Sequence, residues 1–271
     1  QRCGSGRPWP AHGRRYPGAL TVLVTAAFLP HPPLLVAEVA AGAASELAGM
    51  RDACSVALQR VVDANPDLVI VVGGDAGRST YGAGARGSFA GFGVAVTAAL
   101  PGADADGSVA ERDGDRGRDR LPLSLTIAAM LMERVGPWPS VRGEGLPTAM
   151  TPVDAVALGA EWADSAERVA LIAMGDGAAT LTVKAPGYLV EGAEQWQKLV
   201  TQALAEADVA AIKAITSTDA DTFQAAGRVA WQVAAGAADP SGAERWVGEL
   251  LADESPYGVA YLVAVWQRTS T

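Results

Sequence analysis

Residues 67–72 read DLVIVV, and no other segment constrains the fold as strongly. Both sides of the period-two alternation are apolar, so neither face of a strand here can meet water. Strands of this kind belong to parallel sheets covered by helices on both faces. Upstream, residues 21–28 (TVLVTAAF) form a second run of strand length. Between the two, Leu47, Met50, Cys54, Leu58 and Val61 recur three or four apart, the spacing of one helix face. Ser45 is the expected N-cap of that helix, and Asn65-Pro66 its end. Strand, helix, strand makes a βαβ unit.

The same reading predicts strands over 94–100, 152–158, 168–174 (RVALIAM) and 256–267 (PYGVAYLVAVWQ). It predicts helices over 121–135, 191–207, 208–215, 219–235 and 241–251, and a loop over 137–151. No fixed-period repeat is visible. The expected fold class is α/β: a single domain whose central, mostly parallel or mixed sheet is flanked by helices. With 271 residues, 49% of them hydrophobic, the chain can fill such a core.

Residues 21–267 are expected to form the domain. Residues 1–20 carry neither periodicity nor the apolar core of a secretory signal, and read as a disordered leader ahead of a natural start near Val22. Residues 101–120 (PGADADGSVAERDGDRGRDR) have too few large apolar groups to offset their ordering entropy, and read as a flexible insertion. Asp104 and Asp106 lack the rest of a calcium-loop pattern.

A net charge of −9 argues against nonspecific nucleic-acid binding, which needs cations to replace counterions, and against anionic membrane surfaces. The two cysteines, Cys3 and Cys54, make no disulfide framework, and Cys54 reads as an apolar filler. That usage, with no apolar run of ~18 residues, fits a cytoplasmic protein.

Chemistry is expected beyond the carboxyl ends of the strands, where α/β sheets bind ligands. Three strands end in polar residues there: His31 within FLPHPPLL, Asp75 within GGDAG, and Asp176 within GDG. One histidine and two carboxylates suit a divalent iron, manganese or zinc ion. His31 and Asp75 are the candidate metal ligands, and Asp176 is the candidate catalytic proton acceptor. The alternative for either aspartate is turn capping, and for His31 a polar strand cap. His12, the only other histidine, lies in the leader. The glycine-rich stretch 73–93 matches neither a P-loop nor a dinucleotide fingerprint, and no G-x-S-x-G elbow is present. Trp138, Trp162, Trp196, Trp231, Trp246 and Trp266 are scattered and read as packing groups.

In order, FLPHPPLL, an amphipathic helix, PDLVIVV, RVALIAMGDG, APGY (185–188) and PYGVAYLV (256–263) resemble the LigB-like superfamily. These proteins are class III extradiol ring-cleavage dioxygenase B subunits and their relatives. The likeness spans most of residues 22–266. GSFAGFG (87–93) and LPLS (121–124) are similar to elements of alanine-rich actinobacterial members. The resemblance implies a non-haem Fe2+ site held by two histidines and a glutamate, an acid/base histidine, and aromatic catechol-type substrates. His31 matches the first ligand. Gly73-Gly74-Asp75 stands where the second histidine would follow Val72, and Gly177-Ala178-Ala179 where the catalytic one would follow Asp176.

A base near neutral pKa must take the catechol proton, and alanine cannot. The expectation is therefore a divergent protein without ring-cleavage activity that binds a small molecule or metal near His31. One alternative is a working Fe2+-dependent dioxygenase with rearranged ligands. Another is a non-catalytic scaffold or partner subunit, in a homo-oligomer or with a different chain.

Overall fold

The computed structural model describes residues 22–102, 120–240 and 245–269. The leader, nearly all of the 101–120 insertion with Asp104 and Asp106, and residues 241–244 lie outside the described residues.

In chain order the elements are β1 (Val22–Leu29), α1 (Ala37–Ala40), α2 (Ala48–Asp63), β2 (Leu68–Asp75), β3 (Ser79–Tyr81), β4 (Arg86–Ser88), β5 (Thr97–Ala99) and α3 (Leu123–Met132). There follow β6 (Ser140–Pro147), α4 (Pro152–Ala163), β7 (Arg168–Met174), α5 (Ala193–Glu206), α6 (Val209–Ala214), α7 (Ser217–Phe223), α8 (Arg228–Ala238), β8 (Trp246–Glu254) and β9 (Tyr261–Arg268). Seven strands form one mixed sheet in the order β3-β6-β2-β7-β1-β9-β8. Strands β6, β2, β7 and β1 are mutually parallel, while β3, β9 and β8 run antiparallel to their neighbours. The chain is a single α/β domain, as its alternation of runs predicts.

The unbroken apolar strands are explained by a layer of helices on each face. Ala27, Leu29, Val69, Val71, Ile172 and Met174 pack toward α2 and α3. Phe28, Ile70, Val72, Leu171, Ala173 and Trp266 pack toward α4, α5, α6 and α8. One extra residue in β1, between Leu23 and Thr25, shifts its phase. Leu23 and Ala26 thus share a layer despite their odd spacing. Thr25 lies fully buried beside this bulge and donates its hydroxyl to the Trp266 carbonyl at 2.9 Å. Helices α4 and α8 approach closely because Gly159 faces the Val233 carbonyl and Gly236 faces that of Val156. A Cβ at either position would strike backbone.

Several expectations are corrected. Residues 152–158 are the start of α4, not a strand. Thr151 caps it by accepting from the Asp154 N–H at 3.2 Å, Pro152 occupies its first turn, and Ala155, Leu158 and Trp162 form its buried stripe. Residues 137–151 contain β6, whose pattern is masked by a polar pair inside the strand. Glu144 is buried because it meets Arg142 at 2.8 Å and accepts from the Thr80 hydroxyl at 3.0 Å. The segment expected as a helix over 241–251 supplies most of edge strand β8, which takes its conformation from pairing with β9.

The helix expected over 219–235 is two, α7 and α8, broken where Gln224 takes a left-handed φ of 51°. Ser45 caps nothing with its side chain; it lies in a 3-10 stretch, Ala41–Leu47, ahead of α2. The strand expected over 94–100 shrinks to β5, paired with β4 in a separate two-stranded sheet. Cys54 is a free, fully buried thiol, and Trp231 and Trp266 are core groups.

Candidate functional site

The sheet sets the site through the direction of its crossovers. After β1 the chain leaves over the α2 layer, and after the adjacent β7 it leaves over the opposite layer. Neighbouring parallel strands whose connections part in this way open a space beyond their carboxyl ends. His31 follows β1, and Asp176 follows β7, at that switch point.

The two residues are joined. The His31 backbone N–H donates to Asp176 Oδ1 at 2.8 Å, and the ring Nδ1 lies 3.7 Å from the same oxygen. Pro30 and Pro32 flank His31, and Pro33 starts a short 3-10 turn, so the imidazole leaves from a stiff segment. Asp176 is held from both sides: its carbonyl accepts from Gly227 N–H at 2.9 Å, and Gly175 N–H donates to Leu29 at 2.9 Å. Burial pushes the Asp176 carboxyl above its usual range, and His31, through its ring and backbone N–H, opposes the shift. His31 Nδ1 is sealed from solvent with no hydrogen-bond partner among the described residues. The two side chains keep only 17% and 16% of their exposure, enough for one edge of each to meet a ligand.

Sequence reasoning missed Tyr261, the first residue of β9. Alternation places it on the same side of the sheet as Val263 and Val265, which is also the side of Leu29 and Met174. The β1–β9 register ends at Phe28 opposite Ala264, so Tyr261 lies just beyond it, on the His31 side. Tyr261 is buried, and its phenol is pushed well above the ordinary range by burial first, then by the Asp176 charge and by Tyr257. Tyr257 in turn donates its hydroxyl to Glu46 Oε2 at 2.7 Å. The available signal was the pair of tyrosines in PYGVAY, four residues apart across a turn.

Asp75 does not join the pair. Its Oδ2 accepts from the Tyr81 hydroxyl at 2.8 Å and its Oδ1 from the Ala76 N–H at 2.6 Å, while the carboxylate packs over Gly145 of β6. It closes the turn between β2 and β3. Among the described residues no three His, Cys, Asp or Glu side chains gather in a metal-holding group. The three-way convergence of His31, Asp75 and Asp176 is corrected to a two-residue contact, because β7 lies between β1 and β2 and only its own aspartate faces His31.

The two positions where the resemblance implies histidines are also filled. A Cβ at Gly73 would fall 2.5 Å from Ser124 Oγ and 3.3 Å from Met174 Cβ. Ser124 holds its place by donating to the Gly74 carbonyl at 2.9 Å. A Cβ at Gly177 would crowd Ala260 at 2.8 Å and the Gln197 amide oxygen. Ala178 is fully buried, with its N–H bonded to Gln197 Oε1 at 2.8 Å. The donors present therefore do not fit a ferrous ion, which needs three protein ligands with open positions beside them.

Two surface depressions lie elsewhere. One of about 530 Å³ is bordered by Arg78, Met150, Asp154 and Glu161, and one of about 690 Å³ by Leu181, Leu189, Glu194 and Lys198. No described helix is long and apolar enough to cross a membrane.

No protein-family pattern matches the chain, and no curated protein matches it. Among solved structures, the chain is similar to an uncharacterized protein of Escherichia coli K12, at 13% identity and a TM-score of 0.49, over 90% of this chain and 99% of that one.

Proposed function

We propose that this protein is a divergent relative of the class III extradiol dioxygenase B subunits that does not cleave rings and binds a small molecule at the His31 rim. The observation that carries the reading is the contrast between the two halves of the site. His31 is held in place by Asp176 at a switch point, while the implied second-ligand and acid/base positions are occupied by Ser124 and by the packed Gly177-Ala178 segment. Binding needs an oriented polar edge, which this rim has. Ring cleavage needs a metal held by three protein ligands together with a separate base, and among the described residues no three His, Cys, Asp or Glu side chains gather to hold that metal. The reading keeps the protein in the reducing cytoplasm, consistent with the free Cys54 thiol.

The test loads purified protein anaerobically with ferrous iron, measures metal by elemental mass spectrometry, and then adds a panel of catechols with oxygen. The expected result is substoichiometric iron and no ring-opened product. Calorimetry should detect binding of small aromatics that weakens in His31→Ala. Oxygen-dependent ring opening of any catechol would overturn the reading, and so would binding indifferent to His31→Ala.

A further inference from the structure

We infer that the His31 rim selects ligands carrying an ammonium group, with the Asp176 carboxylate as counter-charge and the Tyr261 hydroxyl as a second contact. The inference rests on the small-molecule reading above and names the ligand class for the same site.

Three observations carry it. First, Asp176 is a largely buried carboxylate whose only ion-pair contact among the described residues is the 3.7 Å approach of His31 Nδ1. Among the described residues, His31 is the group that offsets its burial. A desolvated carboxylate without a strong cationic partner is costly, and a positive ligand removes that cost. Second, Tyr261 is 4% exposed, and its hydroxyl has no hydrogen-bond partner among the described residues. It is absent from the unpartnered atoms fully sealed from solvent, of which the rim contributes only His31 Nδ1. It lies close enough to Asp176 to feel the charge of the carboxylate. A polar group so placed waits for a partner.

Third, the tyrosine beside Tyr261 brings a second carboxylate and a second ring toward the rim. Glu46 accepts from Tyr257, and Tyr257 acts on Tyr261. Carboxylates with tyrosine rings beside them favour a cation through charge and through the ring faces. An anionic ligand would meet like charge at both carboxylates.

The test compares benzylamine, benzyl alcohol and benzoate by calorimetry on the full chain, in the parent and in Asp176→Asn and Tyr261→Phe. Asparagine keeps an oxygen to accept from the His31 N–H, and circular dichroism checks that each variant is folded. The expected result is benzylamine binding at least about tenfold tighter than benzyl alcohol, with benzoate weakest. That preference should vanish in Asp176→Asn, and Tyr261→Phe should lose several-fold for the amine. Equal binding of alcohol and amine, or tighter binding of benzoate, overturns the ammonium inference and leaves the small-molecule reading standing. So does an amine preference that survives Asp176→Asn. Failure of all three compounds to bind overturns both.

Discussion

The His31 backbone N–H and the Asp176 carboxylate meet at 2.8 Å although 145 residues separate them. The bond ties the exit of β1 to the exit of β7 and fixes where the imidazole stands. Asp176→Ala leaves that N–H without its acceptor and should cost about 1–3 kcal/mol, whereas Asp176→Asn should cost far less. Urea denaturation of the two variants checks this, and equal losses would show that the bond does not hold the rim.

Glu144 gives the fold a pH signature. Burial raises its carboxyl above the ordinary 4.5, and Arg142 and Thr80 only partly oppose the shift. A raised folded-state value means that the folded protein holds the proton longer than the unfolded chain. The associated stability is complete below the unfolded value and is lost as pH rises through the folded one. Glu144→Gln should therefore flatten the fall in stability that begins at about the usual carboxyl range. The check is the urea midpoint followed from acid to neutral pH, and an unchanged slope in the variant would refute the assignment.

Gly73 and Ser124 should behave as one unit. Gly73→Ala alone drives a methyl group into Ser124 and should lose about 1–3 kcal/mol. Combined with Ser124→Gly, the loss should be much smaller than the sum of the single changes, a coupling that a double-mutant cycle measures. Additive losses would mean that Ser124 does not occupy the space in question.

The α4–α8 contact tolerates no side chain where its glycines stand. Gly236→Val meets the Val156 backbone, and backbone cannot rotate away. The loss should reach about 3 kcal/mol or more, read as a lower thermal midpoint or as insoluble protein. Near-parental stability would disprove the close approach.

Cys54 should be inert to thiol reagents in the folded protein. It is fully buried, and burial pushes its thiol up to about 12, so almost no thiolate forms at neutral pH. Labelling by a disulfide reagent should require an opening of the fold and should accelerate with urea. Rapid labelling without denaturant would contradict the burial.

The legible parts of the sequence are those where local pattern and burial agree. The DLVIVV and RVALIAM runs are apolar on both sides of the alternation, and both became strands inside the parallel core. The stripe from Leu47 to Val61 is buried against the sheet, with all but Leu47 inside α2. The pattern failed where tertiary contacts set the conformation. In β6, Arg142 and Glu144 neutralise each other within the strand and are satisfied only by neighbours distant in sequence. In β8, an edge strand with mixed polarity has no conformation of its own until β9 pairs with it.

The candidate site divides along the same line. By itself the sequence determined that polar residues end three buried strands, and that histidine stands at only one of them. Which of those ends touch was decided by the strand order, because β7 enters between β1 and β2 and carries Asp176 to His31 while Asp75 turns toward Tyr81. Tyr261 reached the rim only through the antiparallel return of β9 beside β1. Strand order is a long-range choice governed by how helices cover both faces of the sheet, and no local spacing encodes it.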